Sequence, residues 1–150
     1  MLERTPAELA ILQLRQTRII AAAFLGWAGM IVYMAERILR PPVKDVDGLL
    51  FTVLSVVATV QAAAALVVRL KAVPAVRRNI FRGDITARMQ WNFSYMGGLA
   101  LSEAVLLFGF VLRFLGAATS QVLPFYIGGV VLMALFFPQS LEAPVDPYHP

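Results

Sequence analysis

The sequence has no cysteine and only one histidine, His149, which lies next to the C-terminus among prolines. The lack of cysteine excludes disulfides, thiolate metal sites and thiol nucleophiles together. Haem held by buried histidines and a three-histidine zinc centre are poorly compatible with a single terminal histidine. We therefore expect this chain to bind no metal ion or cofactor.

Charged residues are scarce as well. Of the 150 residues 15% are charged and 59% are hydrophobic, and the mean hydropathy is +0.74. A soluble domain of this size would need far more polar surface than this composition supplies. The composition predicts a multi-pass protein of the cell membrane, and in length and composition the chain resembles small multi-pass bacterial membrane proteins.

Four apolar runs approach the ~20 residues that a helix needs to cross a bilayer. They cover about residues 19–39, 49–68, 91–112 and 117–137. We therefore predict an all-α fold in which residues 1–150 form one bundle of four transmembrane helices. The four prolines within residues 138–150 predict an extended tail, because proline cannot continue a helix.

The first helix should begin well before the first span. Thr5, Pro6 and Glu8 follow the pattern of an N-cap, a first helical residue and a capping box. No proline follows until Pro41, so one helix of ~50 Å is expected, longer than the ~30 Å hydrocarbon core. Its first turns would then project from the membrane, either as a solvated extension or as an arm that docks another subunit.

Lysine and arginine are unevenly distributed between the two sides. The N-terminus and the segment between spans two and three hold nine of them, while the opposite side holds four. The positive-inside rule then places both termini in the cytoplasm. We interpret the segment between these spans as a basic loop that contacts phospholipid headgroups, with Trp91 and Tyr95 as an aromatic anchor at the interface. The cations of this loop are Arg69, Lys71, Arg77, Arg78, Arg82 and Arg88.

Small residues at helical spacing predict where the helices pack. Glycine, alanine and serine allow backbones in a membrane to approach closely. Two such faces are present, one in span three and one in span one. They are Gly98, Ser102 and Gly109, and Ala22, Gly26 and Gly29.

Glu103 is the one formal charge near the middle of an apolar span, and an ionisable group there is a candidate functional residue. It lies 12 residues past Trp91, or ~18 Å deep. Thr59 and Ser55 lie 10 and 14 residues from Arg69, or ~15 and ~21 Å deep. The shared depth predicts a hydrogen bond from Glu103 to one of these hydroxyls. The site would serve either as a packing device or as a proton or ion site.

Residues 102–112, Ser-Glu-Ala-Val-Leu-Leu-Phe-Gly-Phe-Val-Leu, resemble the carboxylate-bearing helix of rotary ATPase proteolipids. In that family a Glu-Ala pair precedes an aromatic-Gly-aliphatic run, and the acid carries a proton or a sodium ion. The resemblance implies an oligomeric proton- or sodium-translocating protein that uses Glu103. The match covers 11 residues, and the long basic segment between spans two and three departs from the short polar loop of proteolipids.

Enzyme chemistry has little support in the sequence. The spans contain no pair of carboxylates, no Ser/His pair and no glycine-rich phosphate loop. Glu36, Asp45 and Asp47 lie among cations beside two prolines, which favours a solvated, charge-balanced loop. We therefore expect a noncatalytic accessory subunit of a larger membrane complex, respiratory or otherwise energy-converting. Its partners would be other membrane subunits, in a hetero-complex rather than a homo-oligomer, and phospholipids, with no nucleic acid.

Overall fold

The computed structural model describes residues 5–39, 41–44, 46–79 and 85–140, and every regular element in these ranges is helical. This confirms the all-α prediction for the described part of the chain. The α-helices are α1 (Pro6–Tyr33), α2 (Gly48–Val67), α3 (Val73–Asn79), α4 (Ile85–Phe114) and α5 (Thr119–Leu135). Two π-helical segments, Met34–Leu39 and Val68–Ala72, continue helices α1 and α2.

Helix α1 begins as its sequence predicts. The Glu8 amide donates to Thr5 Oγ1 at 3.3 Å, and the Thr5 amide donates to Glu8 Oε2 at 3.0 Å. This reciprocal pair is a capping box, with Pro6 in the first turn. Because the π-helical segment continues α1 without a break to Leu39, the expected single long helix is confirmed.

Three helices are long and apolar enough to cross a membrane: Ala7–Ile38, Gly48–Arg77 and Ile85–Phe114, of 32, 30 and 30 residues. They correspond to predicted spans one to three and support a membrane protein. The apolar helix α5 has 17 residues and lies within the fourth predicted span. The second of these helices continues far past residue 68, so the segment after it begins as helix and not as the predicted loop.

Helix α4 lies at the centre and packs most closely on α5. A Cβ atom added to Gly109 would approach Phe125 Cβ to 2.7 Å, and one added to Gly129 would approach Leu106 Cβ to 2.7 Å. Gly98 faces the ring of Phe136 without room for a side chain. Gly98 and Gly109, two members of the predicted packing face of α4, thus lie against α5 and the residue that follows it.

Ser102, the remaining member of that face, is fully buried, and its hydroxyl donates to the Gly98 carbonyl at 2.7 Å. Its polar group is therefore satisfied within α4, and the side chain adds little bulk to the contact with α5. A serine at this position keeps the two helices close without a hydrogen bond between them.

The predicted seam in span one does not pack against another helix within the described ranges. Ala22, Gly26 and Gly29 are exposed, and a Cβ atom added to either glycine would have nothing within 4 Å. The buried face instead includes Ala21 and Ala28, each fully buried. Ala21 and Ala28 are seven residues apart, which is close to two helical turns, so both lie on the same side of α1. The glycines lie ~80–140° around the helix from Ala21, at 100° per residue, and so point away from α4.

Candidate functional site

Glu103 lies on the side of α4 that faces α1. It borders a depression of about 210 Å³ whose other walls are Ala23, Phe24 and Trp27 of α1. The side chain is half-buried, and within the described ranges no residue makes a hydrogen bond or an ion pair with its carboxylate. The depression therefore combines three apolar walls with one carboxylate that has no partner in this part of the chain.

The predicted hydrogen bond between Glu103 and the hydroxyls of α2 is absent. Ser55 Oγ donates to the Phe51 carbonyl at 2.8 Å, and Thr59 Oγ1 donates to the Ser55 carbonyl at 2.8 Å. Both hydroxyls border a groove that Val105 also lines. Val105 is two residues from Glu103, or ~200° around α4, so the carboxylate points to the opposite side. The prediction compares only how deep these residues lie along their helices. It does not consider the direction in which each side chain points around its helix.

The groove beside α2 is an apolar recess between helices α2 and α5. It has a volume of about 410 Å³ and is lined mainly by aliphatic and aromatic side chains, among them Leu66, Phe125 and Leu132. Its lining includes no charged residue, and the hydroxyls of Ser55 and Thr59 donate within their own helix. The groove offers shape and apolar surface without any polar group suited to chemistry.

One end of the bundle is joined by polar contacts between α1 and α4. Trp91 is fully buried, and its Nε1 donates to Thr17 Oγ1 at 2.8 Å. Thr17 Oγ1 donates in turn to the Gln13 carbonyl at 2.8 Å, and Gln13 Nε2 donates to Asn92 Oδ1 at 2.6 Å. We call these four residues the Trp91 network. The interpretation of Trp91 as a lipid-facing anchor is wrong, because its ring packs against Tyr95 inside the protein.

The opposite end is joined by an ion pair. Arg113 Nε donates to Glu36 Oε1 at 3.1 Å, and Arg113 Nη1 donates to the carbonyls of Pro41 and Ala117, each at 3.2 Å. Thr119 Oγ1 donates to Glu36 Oε2 at 2.8 Å. We call these groups the Arg113 network, and they connect α1, α4 and the start of α5.

The sequence pattern does not predict the Arg113 network. Glu36 lies among cations beside two prolines, and this pattern predicts a solvated loop. Glu36 and Arg113 each lie at the end of an apolar run, and α1 and α4 run in the same direction. Opposite charges at corresponding ends of two parallel spans were the available signal. Asp47 instead caps α2 by accepting from the Leu49 amide at 2.8 Å, and Asp45 lies outside the described residues.

The basic residues lie mainly on helices. Arg69 and Lys71 are in the second π-helical segment, Arg77 and Arg78 in α3, and Arg88 in α4. Arg82 lies outside the described residues. The predicted basic loop is therefore largely a helical extension of span two.

This basic end also holds the chain that follows α5. Arg77 Nη2 donates to the Ser140 carbonyl at 2.9 Å, and Arg77 Nη1 donates to Gln139 Oε1 at 3.2 Å. Arg18 Nε donates to the Pro138 carbonyl at 3.1 Å. Residues 138–140 are non-helical, as predicted, and residues 141–150 of the predicted tail lie outside the described ranges.

No group of three or more histidine, aspartate or glutamate side chains within the described ranges is placed to hold a metal ion. Comparison with protein-family models, with curated proteins and with solved structures gives no significant match. The function is therefore inferred from the geometry of the chain itself.

Proposed function

We propose that this chain is a four-span membrane protein that serves as a noncatalytic accessory subunit of a larger complex in the cell membrane. The observation that carries the proposal is the uncharged apolar groove along α2 and α5. A groove of this kind suits the side chains of a neighbouring transmembrane helix, and it lacks the convergent polar groups that a substrate site needs.

The two polar networks support the four-span arrangement. Trp91 and Arg113 are 22 residues apart on α4, or ~33 Å, which is close to the ~30 Å thickness of a hydrocarbon core. Thr17 and Glu36 are 19 residues apart on α1, or ~29 Å. A bilayer placed between the two polar networks has Glu103 near its middle. The 17 residues of α5 span ~26 Å of the thickness of this bilayer.

The distribution of polar contacts supports a noncatalytic role. The side chains that are best placed to do chemistry, Arg113, Glu36 and Thr119, are engaged with one another and with backbone carbonyls. Mutually satisfied groups of this kind hold helices in register. Positions 69, 71 and 77 add cations at one end of the bundle, where anionic phospholipid headgroups would be attracted.

The alternative function is a homo-oligomer that moves protons or sodium ions through Glu103. The observation in its favour is that the carboxylate has no partner within the described ranges while lying between the two polar networks. An ion-carrying carboxylate has to be free to exchange its proton or ion. This alternative requires identical chains around the acid, whereas an accessory subunit requires unlike ones.

Photocrosslinking in native membranes tests the proposal. A benzophenone amino acid at Leu66, which is 41% exposed in the groove, is compared with the same residue at Val67, which is 54% exposed outside it. We expect Leu66 to give one adduct with an unlike polypeptide, and Val67 to give much less of it. Mass spectrometry of the complex in mild detergent then identifies that polypeptide.

Other adducts would overturn the proposal. An adduct of twice the mass of this chain would favour the homo-oligomeric alternative. Adducts with lipid alone at both positions, together with a monomer in mild detergent, would contradict both functions.

A further inference from the structure

We propose that the face around Glu103 docks a transmembrane helix of another subunit, which places a lysine, arginine or histidine side chain against the Glu103 carboxylate. We define the Glu103 face as Glu103 with Ala23, Phe24 and Trp27. The inference depends on the proposed accessory function but concerns a different surface, because the Glu103 face and the groove of α2 and α5 lie on opposite sides of α4.

The first argument is the size of the depression. Its volume of about 210 Å³ is below the ~300–1,000 Å³ typical of small-molecule sites. A single side chain from a neighbouring helix fits this space better than a free ligand does. The three apolar walls would surround the stem of a long side chain, whose polar end would reach the carboxylate.

The second argument is charge. A carboxylate at this depth is costly when it faces lipid and is normally paired. Arg113 is the cation nearest to Glu103 along α4, ten residues away, and it is already bonded to Glu36. Within the described ranges no cation is paired with Glu103, so we assign its partner group to another molecule.

The third argument distinguishes an unlike partner from a second copy. The sequence has no lysine, arginine or histidine at residues 19–35, 49–68, 89–112 or 114–137. A second copy of this chain, packed at the same depth in the membrane, would thus bring no cation to Glu103. A basic residue at this level has to belong to a different polypeptide.

The fourth argument is the exposed surface beside the depression. Trp27, one of its walls, is 49% exposed, and Met30, three residues further along α1, is 43% exposed. At 100° per residue these two side chains lie ~60° apart around α1 and so form one exposed apolar surface. A partner helix that packs on this surface lies beside the depression and brings its basic side chain within reach of Glu103.

The experiment places the benzophenone amino acid at Met30, which is 43% exposed and lies three residues, about one helical turn, beyond Trp27 on α1. Crosslinking in native membranes is compared between the unmodified chain and Glu103→Gln. Glutamine has the same shape, and Glu103 has no partner within the described ranges, so the fold is expected to be retained. We expect an adduct with an unlike polypeptide whose yield falls roughly tenfold in Glu103→Gln, as for the loss of one interhelical charge contact.

A charge test identifies the partner group. Peptide mapping of the Met30 adduct should find a lysine, arginine or histidine within one helical turn of the crosslinked position. Glu103→Lys should abolish the adduct, and an acidic substitution of that partner residue should restore it. Restoration of this kind is not expected if Glu103 only maintains the fold.

The outcomes separate the two proposals. If the Leu66 adduct persists while Met30 gives only lipid adducts, the docking face is wrong and the accessory function stands. If neither position gives a protein adduct, the accessory function fails as well. An undiminished Met30 adduct in Glu103→Gln, an adduct with a second copy of this chain, or a partner segment without a basic residue would each overturn the role of Glu103.

Discussion

Thr17 and Thr59 show that the surroundings of a threonine determine which hydrogen bonds its hydroxyl makes. Each hydroxyl donates to the carbonyl four residues earlier, at 2.8 Å. Thr17 is 2% exposed and also accepts a hydrogen bond from Trp91, whereas Thr59 is exposed and accepts none within the described ranges. The same residue type therefore joins two helices in one place and only satisfies its own helix in the other.

Thr17→Val should destabilise the protein, because it leaves the Trp91 indole N–H buried without an acceptor. The expected cost is ~1–3 kcal/mol in the free energy of unfolding. Thr59→Val is the matched control and should change stability by less than ~0.5 kcal/mol, as exposed substitutions usually do. Thermal unfolding in detergent micelles, followed by circular dichroism, compares the two. Equal losses of stability would show that the contact with Trp91 contributes nothing.

Arg113→Met should destabilise the protein more than Glu36→Gln does. Removal of the guanidinium leaves Glu36 without its cation and two carbonyls without their donor, and loss of one partner of a buried ion pair costs ~3–5 kcal/mol. Glu36→Gln keeps an oxygen that accepts from Arg113. A double-mutant cycle with the same unfolding measurement gives the coupling between the two residues. Additive effects would contradict the pairing that the structure shows.

For Glu103, the sequence predicts the depth of the residue in the bundle but not the direction of its side chain. The depth of Glu103 along its helix follows from a rise of ~1.5 Å per residue. Its direction depends on which face of α4 meets which neighbour, and that is decided by packing over the whole helix. For this reason the sequence identified Glu103 as the isolated charge and assigned it the wrong neighbours.

At the scale of elements, two sets of small residues have opposite surroundings. Gly109 and Gly129 lie in the contact between α4 and α5, where an added Cβ atom would come within 2.7 Å of a neighbouring side chain. Gly26 and Gly29 of α1 face open space. Gly109 is at helical spacing from Gly98, as Gly26 is from Gly29, so spacing along the sequence does not distinguish a face in contact within the chain from one that is exposed.

Gly109→Ala and Gly129→Ala should each destabilise the isolated protein, by ~1–3 kcal/mol, because overpacking displaces α5 from α4. Gly26→Ala should leave the isolated protein unchanged or slightly more stable, since alanine favours helix more than glycine does. The measurement is thermal unfolding of each purified variant. A loss of stability in Gly26→Ala comparable to that in Gly109→Ala would show that the exposed face of α1 is packed within the chain.

The elements themselves were largely predictable. The apolar runs correspond to α1, α2, α4 and α5, and the capping box fixed the start of α1. The missed feature is the helical continuation past Val67, through Arg69 and Lys71 to α3. Charged residues end an apolar run but do not end a helix, and Pro74 lies two residues past the π-helical segment Val68–Ala72. Hydropathy therefore marks where a membrane span ends and says little about where its helix ends.

At the scale of the whole molecule, the excess of cations on one side predicts its orientation. The natural chain has no cysteine, so a single introduced cysteine reports the side on which it lies. We expect a membrane-impermeant maleimide to label Val43→Cys from outside intact cells, and to label Lys71→Cys only after the membrane is opened. Both positions are exposed in the structure. Labelling of Lys71→Cys in intact cells would reverse the proposed orientation.

The two tryptophans of the chain occupy opposite environments. Trp91 is fully buried, whereas Trp27 is 49% exposed beside Glu103. Lipids with brominated acyl chains quench fluorescence only on contact, so they should reach Trp27 and spare Trp91. The unmodified chain thus carries its own optical signal for the Glu103 face: strong quenching when the purified chain is alone in the bilayer, and protection from quenching when a partner helix covers α1.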